Sequence, residues 1–314
     1  KNCYFLKDTA PMPYAENSGT GLEVKTENQL ADMAETLGSA FVKSDKFPVL
    51  AWEVNGADDI DTPTKPTPSV TPASTPKIEE KIPSYSSQGK WSDNVAETFD
   101  SGNGSKENPY VIKTASELAL LAKNVNEGES YKDVYFELNN NIDLTEKYWT
   151  STGNAEDKAF SGHFNGNGYE VKLNTENQKV SGLFGYTANA EITLLGVDGL
   201  VSGEDIGGGI VGIARDTKIE NCYSNAAVVA DKYVGGLVGQ ILSGSKVINC
   251  YATGTVKAQK AGTLFGAFTN GVSAENLYYR IIGDKMPYGE NASTNTNIAT
   301  GKTDAHKMIY KAYL

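Results

Sequence analysis

Acidic side chains are the most obvious chemical groups of this 314-residue chain, because two carboxylates that face one groove can hydrolyse a glycosidic bond. The candidates are Glu204, Asp205 and Asp231 in one group, and Asp216 and Glu220 beside Arg215 in another. The first group lies in predicted turns, and the equivalent later turn, at residues 259–260, holds Gln-Lys instead. We therefore interpret these acids as solvated turn residues and predict no catalytic site, with hydrolysis as the alternative.

Histidine and cysteine do not form a recognisable metal or nucleophile pattern. His163 and His306 are far apart and lack the spacing of metal ligands. The cysteines share one position, between an asparagine and a tyrosine, and they are Cys3, Cys222 and Cys250. Leucine fills the same position at residues 195 and 277, which predicts a small buried apolar side chain there. A disulfide between Cys222 and Cys250 is the alternative. The sequence predicts no metal or cofactor; calcium is the alternative, although no calcium-binding motif indicates it.

Asparagine and tyrosine recur around these cysteines. The asparagines are Asn221, Asn249 and Asn276, and the tyrosines are Tyr223, Tyr251 and Tyr278. If the repeats stack in space, the asparagine amides can form a hydrogen-bonded ladder. The tyrosines then form a column that either supports the fold or offers its rings to a sugar. We treat the asparagines as structural and the three tyrosines as the candidate ligand-contact residues.

A period of 27 residues organises all of these positions. Four short words lie at residues 182–185, 209–212, 236–239 and 263–266, and their last glycines are Gly185, Gly212, Gly239 and Gly266. The first three words also begin with glycine, whereas the fourth begins with Thr263. A fixed period of this length predicts a solenoid, in which one unit stacks on the next. One extra residue between the second and third repeats falls in a turn near residues 242–245.

The repeated units are predicted to be strands rather than helices. Their apolar runs are short, rich in Val, Ile and Tyr, and interrupted by Gly and Asn every few residues. Each strand needs a neighbour for its backbone groups, and the same strand one repeat later supplies it. The predicted fold is therefore an all-β solenoid, a parallel β-helix with coils of about 27 residues.

Two adjacent apolar columns follow from this stacking. They are Leu183, Ile210, Leu237 and Leu264, and Phe184, Val211, Val238 and Phe265. Because successive residues of a strand face opposite sides, we expect only one column to face the core. We expect the bracketing glycines to occupy corners that need a positive φ angle.

The repeated words resemble a known family. Gly-Leu-Val-Gly and Asn-Cys-Tyr, together with the lead-in at residues 104–112, 141–144 and 160–168, resemble the GLUG-motif repeats of bacterial cell-surface, adhesin-like proteins. The resemblance covers roughly residues 91–279. It implies a surface location, and it does not imply an activity, because a structural repeat occurs beside many functions.

Four segments make up the predicted domain organisation. Residues 1–55 resemble residues 276–314 and are expected to be the tail of a preceding module, with a short helix at about 27–37. Residues 56–90 form a Thr/Pro-rich linker, residues 91–275 form the β-helix module, and residues 276–314 begin its own, truncated tail. Thr114 and Glu117 predict a capped helix that covers the open end of the module.

Composition limits the classes of partner. The net charge of −11 and the presence of only two arginines disfavour nucleic acid, and no apolar run is long enough to span a membrane. We therefore expect a non-catalytic extracellular module of a modular bacterial surface protein, cut from a longer chain, that is adhesive or structural. Glycan or a host surface protein is the expected partner, with head-to-tail contact between module copies. The alternative is a polysaccharide lyase or glycoside hydrolase of the β-helix type.

Overall fold

The computed structural model describes residues 3–6, 22–25, 41–42, 49–50, 82–280, 287–291 and 300–302. The chain divides into two compact units, Lys1–Lys77 and Ile78–Leu314. In the first unit, strands β1 (Cys3–Leu6) and β2 (Leu22–Lys25) pair in parallel, and β3 (Phe41–Val42) and β4 (Val49–Leu50) pair antiparallel. The helix predicted at 27–37 lies outside the described residues.

The second unit is a parallel β-solenoid of about six coils. Its first elements are a 3-10 helix (Trp91–Asp93), β5 (Tyr110–Ile112), α1 (Ala115–Asn126), β6 (Tyr135–Leu138), β7 (Ile142–Asp143), a second 3-10 helix (Glu156–Lys158), β8 (His163–Asn165), β9 (Glu170–Asn174) and β10 (Gln178–Ser181). The middle coils contain β11 (Phe184–Ala188), β12 (Glu191–Thr193), β13 (Gly196–Gly208), β14 (Val211–Arg215), β15 (Lys218–Glu220), β16 (Tyr223–Ser224), β17 (Ala227–Val229) and β18 (Tyr233–Gly235). The last coils contain β19 (Val238–Ile241), β20 (Lys246–Ile248), β21 (Tyr251–Ala252), β22 (Val256–Lys257), β23 (Lys260–Gly262), β24 (Phe265–Phe268), β25 (Ser273–Glu275), β26 (Leu277–Tyr279), β27 (Tyr288–Asn291) and β28 (Thr300–Lys302).

Parallel pairing between equivalent strands of successive coils builds three long sheets. One runs β11-β14-β19-β24-β27, a second runs β5-β6-β8-β12-β15-β20-β25, and the third contains β7, β9, β13 and their successors. The register of Val211 on Val238 has the predicted 27-residue offset, whereas Lys218 pairs with Lys246 at an offset of 28. The extra residue therefore lies in the turn between β19 and β20. The predicted parallel solenoid is confirmed, and it includes lead-in coils that lack the glycine word.

Both apolar columns face the core, which corrects the expectation that only one does. The chain bends at the first two residues of each word, and β11, β14, β19 and β24 begin at the third. Leu237 at the bend and Val238 in the strand are both 0% exposed. The alternation of a strand does not continue through a corner, so two successive side chains can point inward there.

The bracketing glycines do not have positive φ angles, and their role is to allow close backbone approach. A Cβ atom on Gly185 would lie 2.4 Å from the carbonyl oxygen of Gly153. One on Gly239 would lie 2.6 Å from the carbonyl oxygen of Gly212. The left-handed corner is instead in the second word, where Asn221, Asn249 and Asn276 have φ angles of 54°, 54° and 51°. Asparagine tolerates this conformation better than other side chains with a Cβ atom.

Leu194 occupies the asparagine position of an earlier coil, with φ of 52° and 43% of its surface exposed. We expect Leu194→Asn to raise the free energy of unfolding by about 1 kcal/mol, because the left-handed conformation costs an ordinary residue about 1–2 kcal/mol. Denaturant unfolding measures the change. The reverse substitution, Asn249→Leu, is the control and is expected to lower stability. A Leu194→Asn protein that is less stable than the parent would contradict this assignment of strain.

Helix α1 has the predicted cap. The Thr114 hydroxyl accepts a hydrogen bond from the Glu117 backbone, and the Glu117 carboxylate accepts one from the Thr114 backbone N–H at 2.9 Å. Leu118, Leu121 and Val125 are fully buried against the first coils. Strand β5 lies before this helix in the chain and pairs in parallel with β6, so the helix is inserted between the first two strands of this sheet.

Within the described residues, the hydroxyl of Thr152 is a buried polar group without a hydrogen-bond partner. We expect Thr152→Val to raise the free energy of unfolding by about 1 kcal/mol, since an unpaired buried polar group costs about 1–3 kcal/mol. The matched control is Thr175→Val. Thr175 is equally buried, but its hydroxyl donates to the Ser202 carbonyl at 3.0 Å and accepts from the Ser202 N–H at 2.7 Å. In chemical denaturation, the free energy of unfolding should rise for Thr152→Val and fall for Thr175→Val. Equal losses of stability in the two variants would contradict the prediction.

Candidate functional site

The three repeated asparagines form a ladder on the outside of the solenoid. Asn249 Nδ2 donates to Asn221 Oδ1 at 3.0 Å, and Asn276 Nδ2 donates to Asn249 Oδ1 at 2.9 Å. All three side chains are exposed. Each amide therefore links its own coil to the next one, and the left-handed backbone of the corner aims it along the stack.

The tyrosine column lies beside this ladder and is half-buried. Tyr223 and Tyr251 stack with their centroids 5.0 Å apart and their planes 4° apart, and Tyr251 is in register with Tyr278. The other side of Tyr223 covers Gly196, where a Cβ atom would lie 2.4 Å from the ring. Tyr223 Oη also donates to Glu170 Oε2 at 3.0 Å. Both faces of Tyr223 are thus used inside the protein, which leaves ring edges rather than ring faces toward solvent.

Cys222 and Cys250 are free thiols and are buried in adjacent coils. The Cys222 backbone N–H donates to Cys250 Sγ at 3.4 Å, and the Cys250 thiol donates to the Ile248 carbonyl at 3.2 Å. Burial, followed by the hydrogen bond with Cys222, raises the pKa of the Cys250 thiol well above its ordinary value. A thiol held in its neutral form is a poor nucleophile and metal ligand. Cys3 has no described side chain.

A charged network crosses the sheet that contains β6, β8, β12 and β15. His163 Nδ1 lies 3.0 Å from Glu191 Oε2, and Lys218 Nζ bridges Glu191 Oε1 at 2.9 Å and Glu220 Oε2 at 2.7 Å. Tyr135 stacks on His163 with a centroid distance of 4.1 Å. The Lys218 ammonium, with a smaller effect of His163, holds the pKa of Glu191 below its usual range. Hydrogen bonds to the two carboxylates raise the pKa of Lys218.

Several of the carboxylates considered for hydrolysis are engaged with lysine. Asp205 pairs with Lys232 at 2.8 Å, and Glu220 pairs with Lys218. Glu204 and Asp205 lie within strand β13 rather than in the predicted turn, because β13 continues past them to pair with β10 and β18. Asp231 lies at a bend of the next coil, and its backbone N–H donates to the Glu204 carbonyl at 2.9 Å; the side chains of Glu204 and Asp231 are both exposed. Arg215 does not join Asp216 or Glu220 but pairs with Glu156 at 2.9 Å. Among the described residues, no cluster of three or more His, Cys, Asp or Glu side chains is arranged to hold a metal.

A groove at the N-terminal end of the solenoid was not found from the sequence. Its volume is about 360 Å³, and it lies between the first 3-10 helix, helix α1 and the loop after Trp149. Trp91, Trp149, Lys123, Asn126 and Asn154 are among its lining residues. These residues are far apart in the chain and outside the 27-residue period, so only the two tryptophans of the lead-in could have indicated it.

Within the described residues, no helix has both the length and the apolar character needed to cross a membrane.

Comparison with known proteins confirms the GLUG resemblance for one repeat. The model of the GLUG motif matches residues 230–257, which contain the third glycine word together with Asn249, Cys250 and Tyr251. A protein of Evansella cellulosilytica, provisionally named a Gly-rich membrane protein, is 35% identical over 112 residues. That match covers 33% of this chain and 11% of the relative, so the chain corresponds to about a tenth of the relative's length. A crystal structure from Bacteroides ovatus, provisionally described as an immunoglobulin A1 protease, is 20% identical with a TM-score of 0.41, and the match covers 65% of this chain and 80% of that one.

Proposed function

We propose that this chain, which carries a GLUG motif, is a non-catalytic structural module of a modular bacterial surface protein, displayed outside the cell. The proposal rests on the contacts that the outward side chains make. Asparagine, tyrosine and charged side chains on the exterior contact equivalent positions of the neighbouring coil. Because each coil of a solenoid contacts only its neighbours, such ladders hold successive coils together and suit a stiff spacer.

Three further observations support the surface part of the proposal. The relative from Evansella cellulosilytica has a name that associates it with a membrane. The Thr/Pro-rich stretch at residues 62–76 has the composition of an extended spacer between modules. The similarity of residues 1–55 to residues 276–314 favours a tandem array, in which module copies contact one another head to tail.

Adhesion to glycan or to a host protein is the second role that the sequence predicted. The tyrosine column is a weak candidate for stacking against sugar rings, since both faces of Tyr223 are covered. Tyr251 stacks on Tyr223 and is in register with Tyr278 of the next coil. We therefore propose the column as a structural element, so that adhesion requires another part of the surface.

Antibody labelling of intact cells tests the surface location. Antibodies raised against residues 82–280 should label intact cells of the source bacterium as strongly as permeabilised ones. An antibody against a cytoplasmic protein of the same cells is the control and should label only permeabilised cells. Labelling by the module antibody only after permeabilisation would contradict the proposal.

A turnover assay tests the non-catalytic part. The protein is incubated with a panel of neutral and uronate-containing polysaccharides, and reducing ends and unsaturated uronates are measured. We expect no product above that of the heat-denatured protein. Sustained product formation that is lost in an Asp205→Asn or Asp231→Asn variant would instead establish the lyase or hydrolase alternative.

A further inference from the structure

The groove between helix α1 and the loop after Trp149 has walls fixed by hydrogen bonds. Asn126 Oδ1 accepts from the backbone N–H groups of Gly153 and Asn154 at 2.9 and 2.8 Å, and Asn126 Nδ2 donates to the Ser151 carbonyl at 3.1 Å. One helix side chain thus holds the loop that forms the opposite wall. A site fixed before binding does not lose loop entropy when a ligand enters.

The two tryptophans of the groove are also fixed in position. Trp91 Nε1 donates to the Leu144 carbonyl at 2.8 Å, and Trp149 Nε1 donates to the Leu183 carbonyl at 3.0 Å. Trp149 is buried beneath the groove, whereas Trp91 is half-buried at its wall. Since both indole N–H groups are satisfied within the protein, the tryptophans contribute apolar surface to the groove and no donor.

The rim of the groove is polar but electrically balanced. Lys90 pairs with Glu176 at 2.8 Å, and Lys123 pairs with Glu127 at 2.7 Å. Each lysine of the rim is therefore neutralised by a neighbouring carboxylate. With one carboxylate for each lysine, the rim has no excess charge to attract an anionic or a cationic ligand, so it favours an uncharged ligand rich in hydroxyl groups.

We infer that this groove binds an uncharged saccharide, with a sugar ring against Trp91 and its hydroxyls on the rim of Lys123, Glu127 and Asn154. Sugars combine apolar C–H surface with many hydroxyl groups, which matches an aromatic wall under a polar rim. The volume of about 360 Å³ lies at the lower end of the range for small-molecule sites, about 300–1,000 Å³, and suits a short saccharide. This binding role goes beyond that of a structural module.

Tryptophan fluorescence provides the test, because two of the three tryptophans of the chain line the groove. The whole chain is titrated with glucose, galactose, mannose and N-acetylglucosamine, and with short neutral oligosaccharides of each. Concentrations up to about 10 mM occupy most sites even for a ligand with a Kd of about 1 mM. We expect a saturable change with at least one of these sugars.

Two variants locate the binding. Asn154→Arg places a long side chain at the exposed rim without altering the backbone N–H that bonds to Asn126, and we expect it to weaken binding about tenfold or more. Asn140→Arg adds the same charge at an exposed position that does not line the groove, and binding should be unchanged. Circular dichroism checks that both variants keep the fold.

Three outcomes would overturn the inference. They are the absence of any saturable response, a response that Asn154→Arg leaves intact, and a response only to a peptide such as the Thr/Pro segment of residues 62–76. None of them bears on the structural module proposed above, which depends on cell labelling and turnover. Conversely, a module found inside the cell could still bind sugar in this groove, so the two proposals fail independently.

Discussion

Gly236→Ala is expected to lower the free energy of unfolding by about 3 kcal/mol or more, because overpacking against rigid backbone cannot be relieved by rotating a side chain. A Cβ atom on Gly236 would lie 2.2 Å from the carbonyl oxygen of Thr263 in the next coil. The neighbouring coil would have to move away, and this would weaken the parallel pairing on both sides. Denaturant unfolding followed by circular dichroism measures the loss.

Gly168→Ala is the matched control for this substitution. Gly168 has a φ angle of 81°, and nothing lies within 4 Å of its added Cβ position. The free energy of unfolding of Gly168→Ala should fall only by the cost of placing alanine in the left-handed conformation, about 1–2 kcal/mol. If Gly236→Ala loses no more stability than Gly168→Ala, close approach of the coils is not the reason for glycine in the repeated word.

Leu237→Ala is expected to cost about 2–5 kcal/mol, the range for removing a fully buried leucine side chain. Leu237 lies at a corner of the coil but is 0% exposed and packs in the continuous core. Equilibrium unfolding of the variant measures the cost. The result distinguishes a corner that points inward from one that points to solvent.

Leu194→Ala is the control, because Leu194 is 43% exposed at another corner of the solenoid. Surface substitutions of this kind usually change stability by less than about 0.5 kcal/mol. Similar small effects at residues 237 and 194 would show that the bend column does not belong to the core.

The period and the parallel stacking could be predicted because both depend on residues that recur. Val211 and Val238 occupy the same position in successive words, and parallel pairing brings identical positions together. The offset of 28 between Lys218 and Lys246 could be predicted as well, since the extra residue falls among turn-forming residues. A repeated sequence therefore indicates which strands pair with each other.

The conformation of the corners could not be predicted from residue type alone. Glycine suits both a positive φ angle and close backbone approach, and the sequence does not distinguish these uses. The structure assigns the left-handed conformation to Asn249 and close approach to Gly239. The left-handed Leu194 shows that the position, rather than the side chain, determines the turn.

The groove is the part of the candidate site that the sequence did not indicate. Trp91, Asn126 and Trp149 lie in three separate segments of the chain, and helix α1 brings them together at the first coil. Such a site has no period and no motif. The groove could be found only once the packing of helix α1 was known, and this packing depends on side-chain contacts between distant segments.

If the exterior side chains hold neighbouring coils together, Tyr223 and Tyr251 should stabilise the fold through each other, and a double-mutant cycle measures this coupling. The free energy of unfolding is measured for the parent, Tyr223→Ala, Tyr251→Ala and the double variant. We expect a favourable coupling of about 0.5–1.5 kcal/mol, the range for a stacked aromatic pair. A coupling indistinguishable from zero would contradict it, because the two rings would then contribute to stability independently and not through each other.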